Sequence, residues 1–326
     1  MTIRFLIIRF SSIGDIVLTT PVIRHLKKQV EGAEIHYLTK ERYEPLLKAN
    51  PYIDRLWLLK GSLKDLLQEM KGTSFDYVID LHNNLRTAFI KNALHRISFE
   101  VNKLNFRKWL LVRTGINRLP DRHIVDRYLD TIRLFDILDD QQGLDYFIPE
   151  EDEIALSSLP EPFNGGYIIL VAGAMHQTKK IPLPQMVSLC RKLEKPVIII
   201  GGPEDKVTGE EIVKAIPGAP VFNGCGKFSI NQSASLIRQA LLVISPDTGM
   251  MHIAAAFGKR ILSVWGNTVP AFGMSPFRPG EGSRIFEVEG LRCRPCSKIG
   301  YARCPKKHFH CMLLQDLDGI VREANR

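Results

Sequence analysis

No apolar run in this 326-residue chain reaches the roughly 18 residues of a membrane-spanning helix. The apolar part of Met1–Phe10 is too short for a secretory signal and carries Arg9 inside it, so it reads as the first core strand of a cytoplasmic protein. A nucleic-acid zinc finger, an RNA-binding signature and a long basic helix are all missing. Their absence argues against a nucleic-acid partner in spite of a net charge of +9. The two halves share no strong internal identity, so a tandem repeat is not implied. Cysteine is scarce, at six residues, and a cytosolic setting disfavours lasting disulfides.

What is present is a globular composition, 45% hydrophobic and 24% charged, over a length that suits about two domains. Strand-like runs at 3–10, 34–38, 55–59 and 77–81 alternate with helical segments such as 43–48 and 63–70. A longer helix is expected over 123–138. A second series of strands starts at 165–172 and continues at 196–205 (strand and turn), 241–244 and 261–264. This alternation predicts parallel βαβ units and a doubly wound α/β sheet in each half. The acidic, proline-containing stretch 141–162 reads as the linker, giving domains 1–155 and 156–326, with the last helix able to pack back on the first.

The most informative stretch is Ser245-Pro-Asp-Thr-Gly-Met-Met-His-Ile-Ala-Ala-Ala-Phe-Gly258. An apolar strand ends at Ser245-Pro246, and a helix can start near Asp247 or Thr248. Strand, tight polar turn and helix N-terminus together make an anion site, read here as the phosphate end of a nucleotide pocket. The plainer alternative is an ordinary capped helix in an α/β domain. Lys179 and Lys180 follow another strand end, where lysine can neutralise a diphosphate or stand solvated. Glu204 follows a third, where an acid can accept from ribose hydroxyls.

In the first half, Ser11-Ser-Ile-Gly-Asp15 is a small-residue turn into a helix. Asp15 is either a base at a cleft or a charge favoured by the helix dipole, which keeps it ionised and makes it a weak base. His82, Asn83 and Asn84 end the fourth strand, where ligands of doubly wound sheets sit; a structural cap is the alternative. Charge is unevenly placed. Residues 86–118 carry eight Lys or Arg and one acid, and 291–310 carry six and none. Such patches imply an anionic partner. Trp109, Leu110 and Leu111 beside Arg107, Lys108 and Arg113 suit a lipid-headgroup surface, or equally a solvated helix with one buried face.

Cys293-x2-Cys296-x7-Cys304-x6-Cys311 is the most metal-like spacing. Four thiolates close a tetrahedral zinc site, but the second half lacks a matching C-x2-C, so zinc, free thiols and disulfides all stay open. Cys190 and Cys225 read as buried small residues.

Four segments together, Arg9-Phe-Ser-Ser-Ile-Gly-Asp15, Thr178-Lys-Lys-Ile-Pro182, Gly202-Pro-Glu204 and Ser245-Pro-Asp-Thr-Gly249 with His252, resemble the ADP-heptose:lipopolysaccharide heptosyltransferases, glycosyltransferase family 9. The resemblance spans nearly the whole chain; Ile181 stands where an aromatic is common. It implies a GT-B fold, two Rossmann-like doubly wound domains facing across a cleft. It further implies inverting transfer of a sugar, expected to be heptose, from an ADP-sugar to an anionic lipopolysaccharide-type glycolipid, with no catalytic metal or cofactor. The protein would then be cytoplasmic and peripheral to the inner membrane. By resemblance Asp15 is the catalytic base. Lys179, Glu204, Asp247, Thr248, Gly249 and His252 hold the donor. Ser12, Gly14, His82, Asn83, Arg107 and Arg113 are the expected acceptor set. A sugar-nucleotide epimerase or hydrolase of the same fold, and a non-catalytic nucleotide-sugar-binding protein, are the rival readings.

Overall fold

The computed structural model describes residues 2–326. In chain order the first elements are β1 (Ile3–Ile8), α1 (Ile13–Val17), α2 (Thr20–Gln29), β2 (Ala33–Lys40), β3 (Arg55–Leu59) and α3 (Leu63–Glu69). They are followed by β4 (Tyr77–Asp80), α4 (Leu85–Leu94), β5 (Ile97–Glu100), α5 (Asn105–Thr114) and α6 (Ile124–Leu129). The later elements are β6 (Ile168–Val171), α7 (Leu183–Lys192), β7 (Val197–Ile200), α8 (Lys206–Ala215), β8 (Val221–Asn223) and α9 (Ile230–Gln239). The chain closes with β9 (Leu242–Pro246), α10 (Gly249–Ala256), β10 (Ile261–Trp265), β11 (Arg284–Glu287), α11 (His310–Leu313) and α12 (Leu317–Ala324). Among the described residues no helix is long and apolar enough to cross a membrane.

The chain divides into two compact units, one of Met1–Lys103 and Arg122–Pro149, the other of Leu104–Asp121 and Glu150–Arg326. The first holds a five-stranded sheet in the order β3-β2-β1-β4-β5. The second holds a six-stranded sheet in the order β11-β10-β9-β6-β7-β8. Every pairing is parallel. Central strands of such sheets are covered on both faces and read as unbroken apolar runs. Phe5–Ile8, Ile168–Val171 and Val197–Ile200 are accordingly buried throughout. In each sheet the winding reverses once, between β1 and β4 in the first and between β6 and β9 in the second, and a crevice opens at such a reversal.

Three features differ from the sequence reading. The long helix expected over 123–138 stops at Leu129 and continues as a 3-10 turn, Asp130–Phe135. There Thr131 Oγ1 donates to the Tyr128 carbonyl at 2.6 Å, and Asp136 adopts a left-handed backbone. The last helix, expected able to return to the first half, lies in the core of the second unit, where Ile320 and Ala324 are buried with Leu262 and Leu189. The stretch read as a linker is tied down at both ends. Arg24, 1% exposed, holds Asp140, Asp145 and the Gly143 carbonyl. Further on, Asp152 and Glu153 accept from Ser229, Asn231, Ser235 and Arg238 of the α9 region.

Candidate functional site

In the first unit the β1/β4 reversal is floored by Arg9, which follows the apolar run of β1 and is 7% exposed. Its Nε donates to the Ser11 carbonyl at 2.7 Å and its Nη1 to the Leu81 carbonyl at 2.5 Å, stitching the ends of both strands. Its Nη2 lies 2.6 Å from Asp15 Oδ1. Asp15 Oδ2 accepts from the Ser12 hydroxyl at 2.8 Å and the Ser12 N–H at 3.2 Å. Burial pushes the Asp15 carboxyl up, but the Arg9 charge and the Ser12 hydrogen bonds outweigh it and hold the group at about 2. Arg9 and the Ser12 hydrogen bonds thus keep Asp15 ionised at the start of the five-residue α1.

His82 follows β4. Its ring meets Phe10 edge-on at 5.3 Å, and its buried Nδ1 makes no hydrogen bond. Burial, then the charges of Arg9 and Lys103, lower its pKa to about 4, so the imidazole is neutral at pH 7. A histidine depressed in the folded state takes up its proton sooner when unfolded. Its contribution to stability is thus lost as pH falls from about 6.5 towards 4. The melting temperature should decline across that interval, and His82→Gln should flatten the decline; an unchanged profile would show that another group sets it.

Asn83 builds the turn. Its backbone is left-handed at φ 42°, a conformation asparagine tolerates, and its amide donates to the Val101 carbonyl at 3.1 Å. The N–H groups of His82 and Asn83 go to Asp80 Oδ1, and Lys91 balances that buried carboxylate at 2.8 Å. Ser12, Gly14, His82 and Asn83 thus belong to the first unit with Asp15. Arg107 and Arg113 stand elsewhere: both are exposed on α5, which clusters with the second unit. In that unit Lys108 lies 5.8 Å from the Phe272 ring centre.

In the second unit the segments after β9, β6 and β7 carry the expected donor residues, and these three strands are adjacent. Lys179 Nζ lies 2.6 Å from Asp247 Oδ2, which also accepts from Thr268 Oγ1 at 2.8 Å. Both charged side chains are mostly covered, at 17% and 12% exposure. Thr248 precedes α10 with extended backbone and makes no side-chain cap, so capping does not consume the N–H groups of the first turn, which begins at Gly249. Thr248 and Gly249 are half-buried, and His252, one turn on, is buried.

The paired lysines of the sequence divide their work. Lys179 reaches Asp247, whereas Lys180 pairs with buried Asp205 at 2.5 Å. Asp205 fills the space beside Gly173 and Gly201; a Cβ at Gly201 would stand 2.8 Å from its side chain. Glu204 is exposed, folded over Gly202. Ile181 is buried in the core of the unit. Arg9 and Thr268 carry as much of the geometry as the residues singled out beforehand. The signal for Arg9 was a guanidinium directly after four apolar strand residues; Thr268 had none.

Among the described residues, the group that brings three metal-capable side chains within 4.8 Å is His25, Asp139 and Asp140. Its imidazole is already committed: Nδ1 faces the Pro21 carbonyl at 2.5 Å, and Nε2 accepts the Asp140 N–H at 2.9 Å. Cys293, Cys296 and Cys304, in one irregular loop, and Cys311, in α11, are free thiols, and no three of their sulfurs converge to that distance. Cys190 and Cys225 are buried as expected, and burial pushes both thiols up to about 12.

The family model of glycosyltransferase family 9 (heptosyltransferase) matches residues 63–299. Lipopolysaccharide heptosyltransferase 1 of Campylobacter coli is 24% identical, over 80% of this chain and 83% of that protein. Lipooligosaccharide heptosyltransferase 2 of Haemophilus ducreyi is 26% identical over 99% of both. Among solved structures, Escherichia coli ADP-heptose lps heptosyltransferase II superposes with a TM-score of 0.75 at 20% identity, over 99% of this chain and 98% of that one. The two parallel α/β sheets are those of the GT-B fold.

Proposed function

Since this chain belongs to glycosyltransferase family 9, the heptosyltransferases, and is a glycosyltransferase, we propose that it transfers heptose from ADP-heptose to a lipopolysaccharide inner core or related glycolipid. The observation that carries this reading is the Lys179–Asp247–Thr268 cluster beside the uncapped start of α10, at the winding reversal of the second sheet. A lysine and a turn of backbone N–H groups suit a departing diphosphate, on which negative charge grows as the bond to the sugar breaks. The second unit is the donor unit and the first the acceptor unit in this proposal.

The transfer is a single inverting displacement. The acceptor oxygen forms a bond to the anomeric carbon, the bond from that carbon to the diphosphate breaks, and ADP leaves with the electron pair. Asp15 receives the hydroxyl proton. A carboxylate held at about 2 is a poor base towards a resting alcohol. It suffices once the new bond has begun to form, because that proton is then far more acidic. Lys179, Thr248 and Gly249 meet the leaving diphosphate, and Glu204 the nucleoside. Transfer calls for no cofactor; zinc at Cys293, Cys296, Cys304 and Cys311 would be structural.

The test is to incubate the protein with ADP-heptose and a lipopolysaccharide lacking inner-core heptose. Release of ADP matched by a heptose mass gain on the acceptor supports the proposal. Turnover of ADP-heptose without acceptor would favour a hydrolase or epimerase. Stabilisation against heat by UDP- or GDP-sugars and not by ADP-sugars would reassign the donor.

Contact with a membrane surface is part of the same proposal. On α5, Phe106 and Trp109 are 72% and 51% exposed with their rings stacked at 5.9 Å, on the helix that also carries the exposed cations Arg107 and Arg113. Aromatics among cations suit an anionic lipid interface. Binding to phosphatidylglycerol vesicles should weaken about tenfold in Trp109→Ala and fade between low salt and about 0.5 M, where exposed charges are screened. Salt-insensitive binding would assign the contact to apolar insertion alone.

A further inference from the structure

Residues 288–309, between β11 and α11, form no helix or strand, yet the segment is fixed at several points. Arg294, with a side chain 7% exposed, donates to the Gly266 carbonyl at 2.6 Å and the Thr268 carbonyl at 2.9 Å, and pairs with Glu287. Ser297 Oγ accepts the N–H groups of Ile299 and Gly300 at 3.0 and 2.9 Å, closing a tight turn. A Cβ at Gly300 would stand 2.5 Å from His176 Cβ, so this turn is pressed against the segment that follows β6. Tyr301 then exchanges backbone and hydroxyl hydrogen bonds with Thr178 at 2.8 to 3.1 Å.

These anchors place the loop beside the donor residues of the same unit. Thr178 immediately precedes Lys179, and Thr268 is the residue whose hydroxyl holds Asp247. On the donor-site reading above, Lys179 meets the diphosphate, and the anomeric carbon is bonded to that diphosphate. An acceptor oxygen has to come within bonding distance of this carbon, which brings the acceptor alongside the loop.

What the loop offers there is charge without a counterion. Residues 291–310 hold six Lys or Arg and no acid. Arg294 is spent as an internal tie. The other five, Arg292, Lys298, Arg303, Lys306 and Lys307, are exposed, and none of them pairs with a carboxylate among the described residues. Elsewhere in this unit Lys179, Lys180, Arg238 and Arg260 all have acidic partners. Crowded like charges repel one another, and an anion bound among them relieves the repulsion. Insertion into a bilayer suits the loop less well. Its exposed large apolar side chains are Ile299 and Tyr301, and the Tyr301 hydroxyl is tied to the Cys296 carbonyl at 3.1 Å. A lysine-rich patch is also unlike the centre of a protein–protein interface.

We propose that Arg292, Lys298, Arg303, Lys306 and Lys307 form an anion-binding surface of the donor unit that takes the acidic groups, phosphate or carboxylate, of the acceptor glycolipid. No bond is made or broken there; the surface selects acceptors and holds them near the departing diphosphate. The assignment to the acceptor rests on the transferase reading, whereas anion binding is measured without turnover.

The experiment uses the full chain, titrated by calorimetry with the deacylated, water-soluble form of a lipopolysaccharide lacking inner-core heptose, in the absence of donor. Lys298→Ala, Arg303→Ala and Lys306→Ala remove exposed charges and leave no buried partner behind, so each should keep the wild-type melting temperature. Each should weaken acceptor binding about threefold, and the triple variant roughly 20- to 30-fold, exposed charge contacts being individually small. The difference should largely disappear at about 0.5 M salt. In turnover the triple variant should raise the acceptor KM by the same factor rather than lower kcat, and arginine at 298 and 306 should restore it. A loss that vanishes with dephosphorylated acceptor assigns the surface to phosphate, and one that persists assigns it to carboxylate. Unchanged acceptor affinity in the triple variant, or no binding of the deacylated acceptor by the wild type, would overturn the proposal. Weakened binding to phosphatidylglycerol vesicles with acceptor affinity unchanged would overturn it in favour of a membrane contact. Loop-dependent acceptor binding in a protein that fails to transfer heptose would count against the transferase reading and leave the anion surface standing.

Discussion

Asp15→Asn should lower kcat by roughly 10²- to 10⁴-fold, the usual range for loss of a positioned proton acceptor, with ADP affinity changed less than about twofold. Asparagine is the informative replacement because of Arg9. The guanidinium is 7% exposed and pairs with Asp15 at 2.6 Å. Removing one partner of such a pair leaves a buried charge uncompensated, at a cost of about 3–5 kcal/mol. Asp15→Ala would therefore mix lost chemistry with lost stability. Asparagine retains an oxygen for Arg9 and for Ser12 while giving up the proton-accepting charge. The pH profile adds an independent check. Since Arg9 and Ser12 hold the carboxyl at about 2, its stabilising effect is present above its ordinary value near 4 and is lost only as pH falls from about 4 through 2. kcat/KM should show no ionisation of Asp15 between pH 5 and 8. A wild-type acid limb near pH 6 that vanishes in Asp15→Asn would contradict this electrostatic account.

Lys179→Ala should weaken ADP binding about 10- to 100-fold by titration calorimetry, as a hydrogen bond to a charged group is worth about 1.5–3 kcal/mol. The loss is compounded because Asp247 keeps Thr268 and loses its cation, leaving a carboxylate beside the incoming diphosphate. The companion variant separates two roles for Asp247. If Asp247 only repelled the ligand, Asp247→Ala would bind ADP more tightly. If it aims Lys179, as the 2.6 Å contact indicates, the variant should bind several-fold more weakly despite its lower negative charge. Lys180→Ala should act differently from Lys179→Ala. It strips the partner from Asp205, which is 1% exposed, so its main effect is a lower melting temperature.

The inner strands were legible because parallel sheets bury both faces of a strand, which leaves runs such as Ile3–Ile8 and Val197–Ile200 in the sequence. The strands that went unread, β5, β8 and β11, are all sheet edges. Their residues are half-buried or exposed, as in Ile97–Glu100 and Arg284–Glu287, so no hydrophobic pattern marks them. The start of α10 was readable from Pro246, Asp247 and Thr248, since proline and short polar side chains carry local backbone preferences. Contacts between distant segments were not. Nothing local says that Lys179 turns to Asp247 while Lys180 turns to Asp205, or that Thr268 reaches Asp247 across 21 positions. The same holds for Arg107 and Arg113, whose position in the chain suggested the first unit while their helix clusters with the second.

Because residues 104–121 cluster with the second unit while the chain on either side belongs to the first, neither unit is a contiguous piece of the gene. A fragment spanning 150–326, expressed alone, would be missing a helix of its own. Its counterpart 1–149 would carry that helix as an orphan. Separately made halves should consequently be poorly soluble and regain order on mixing, as split proteins do when each holds a part the other needs.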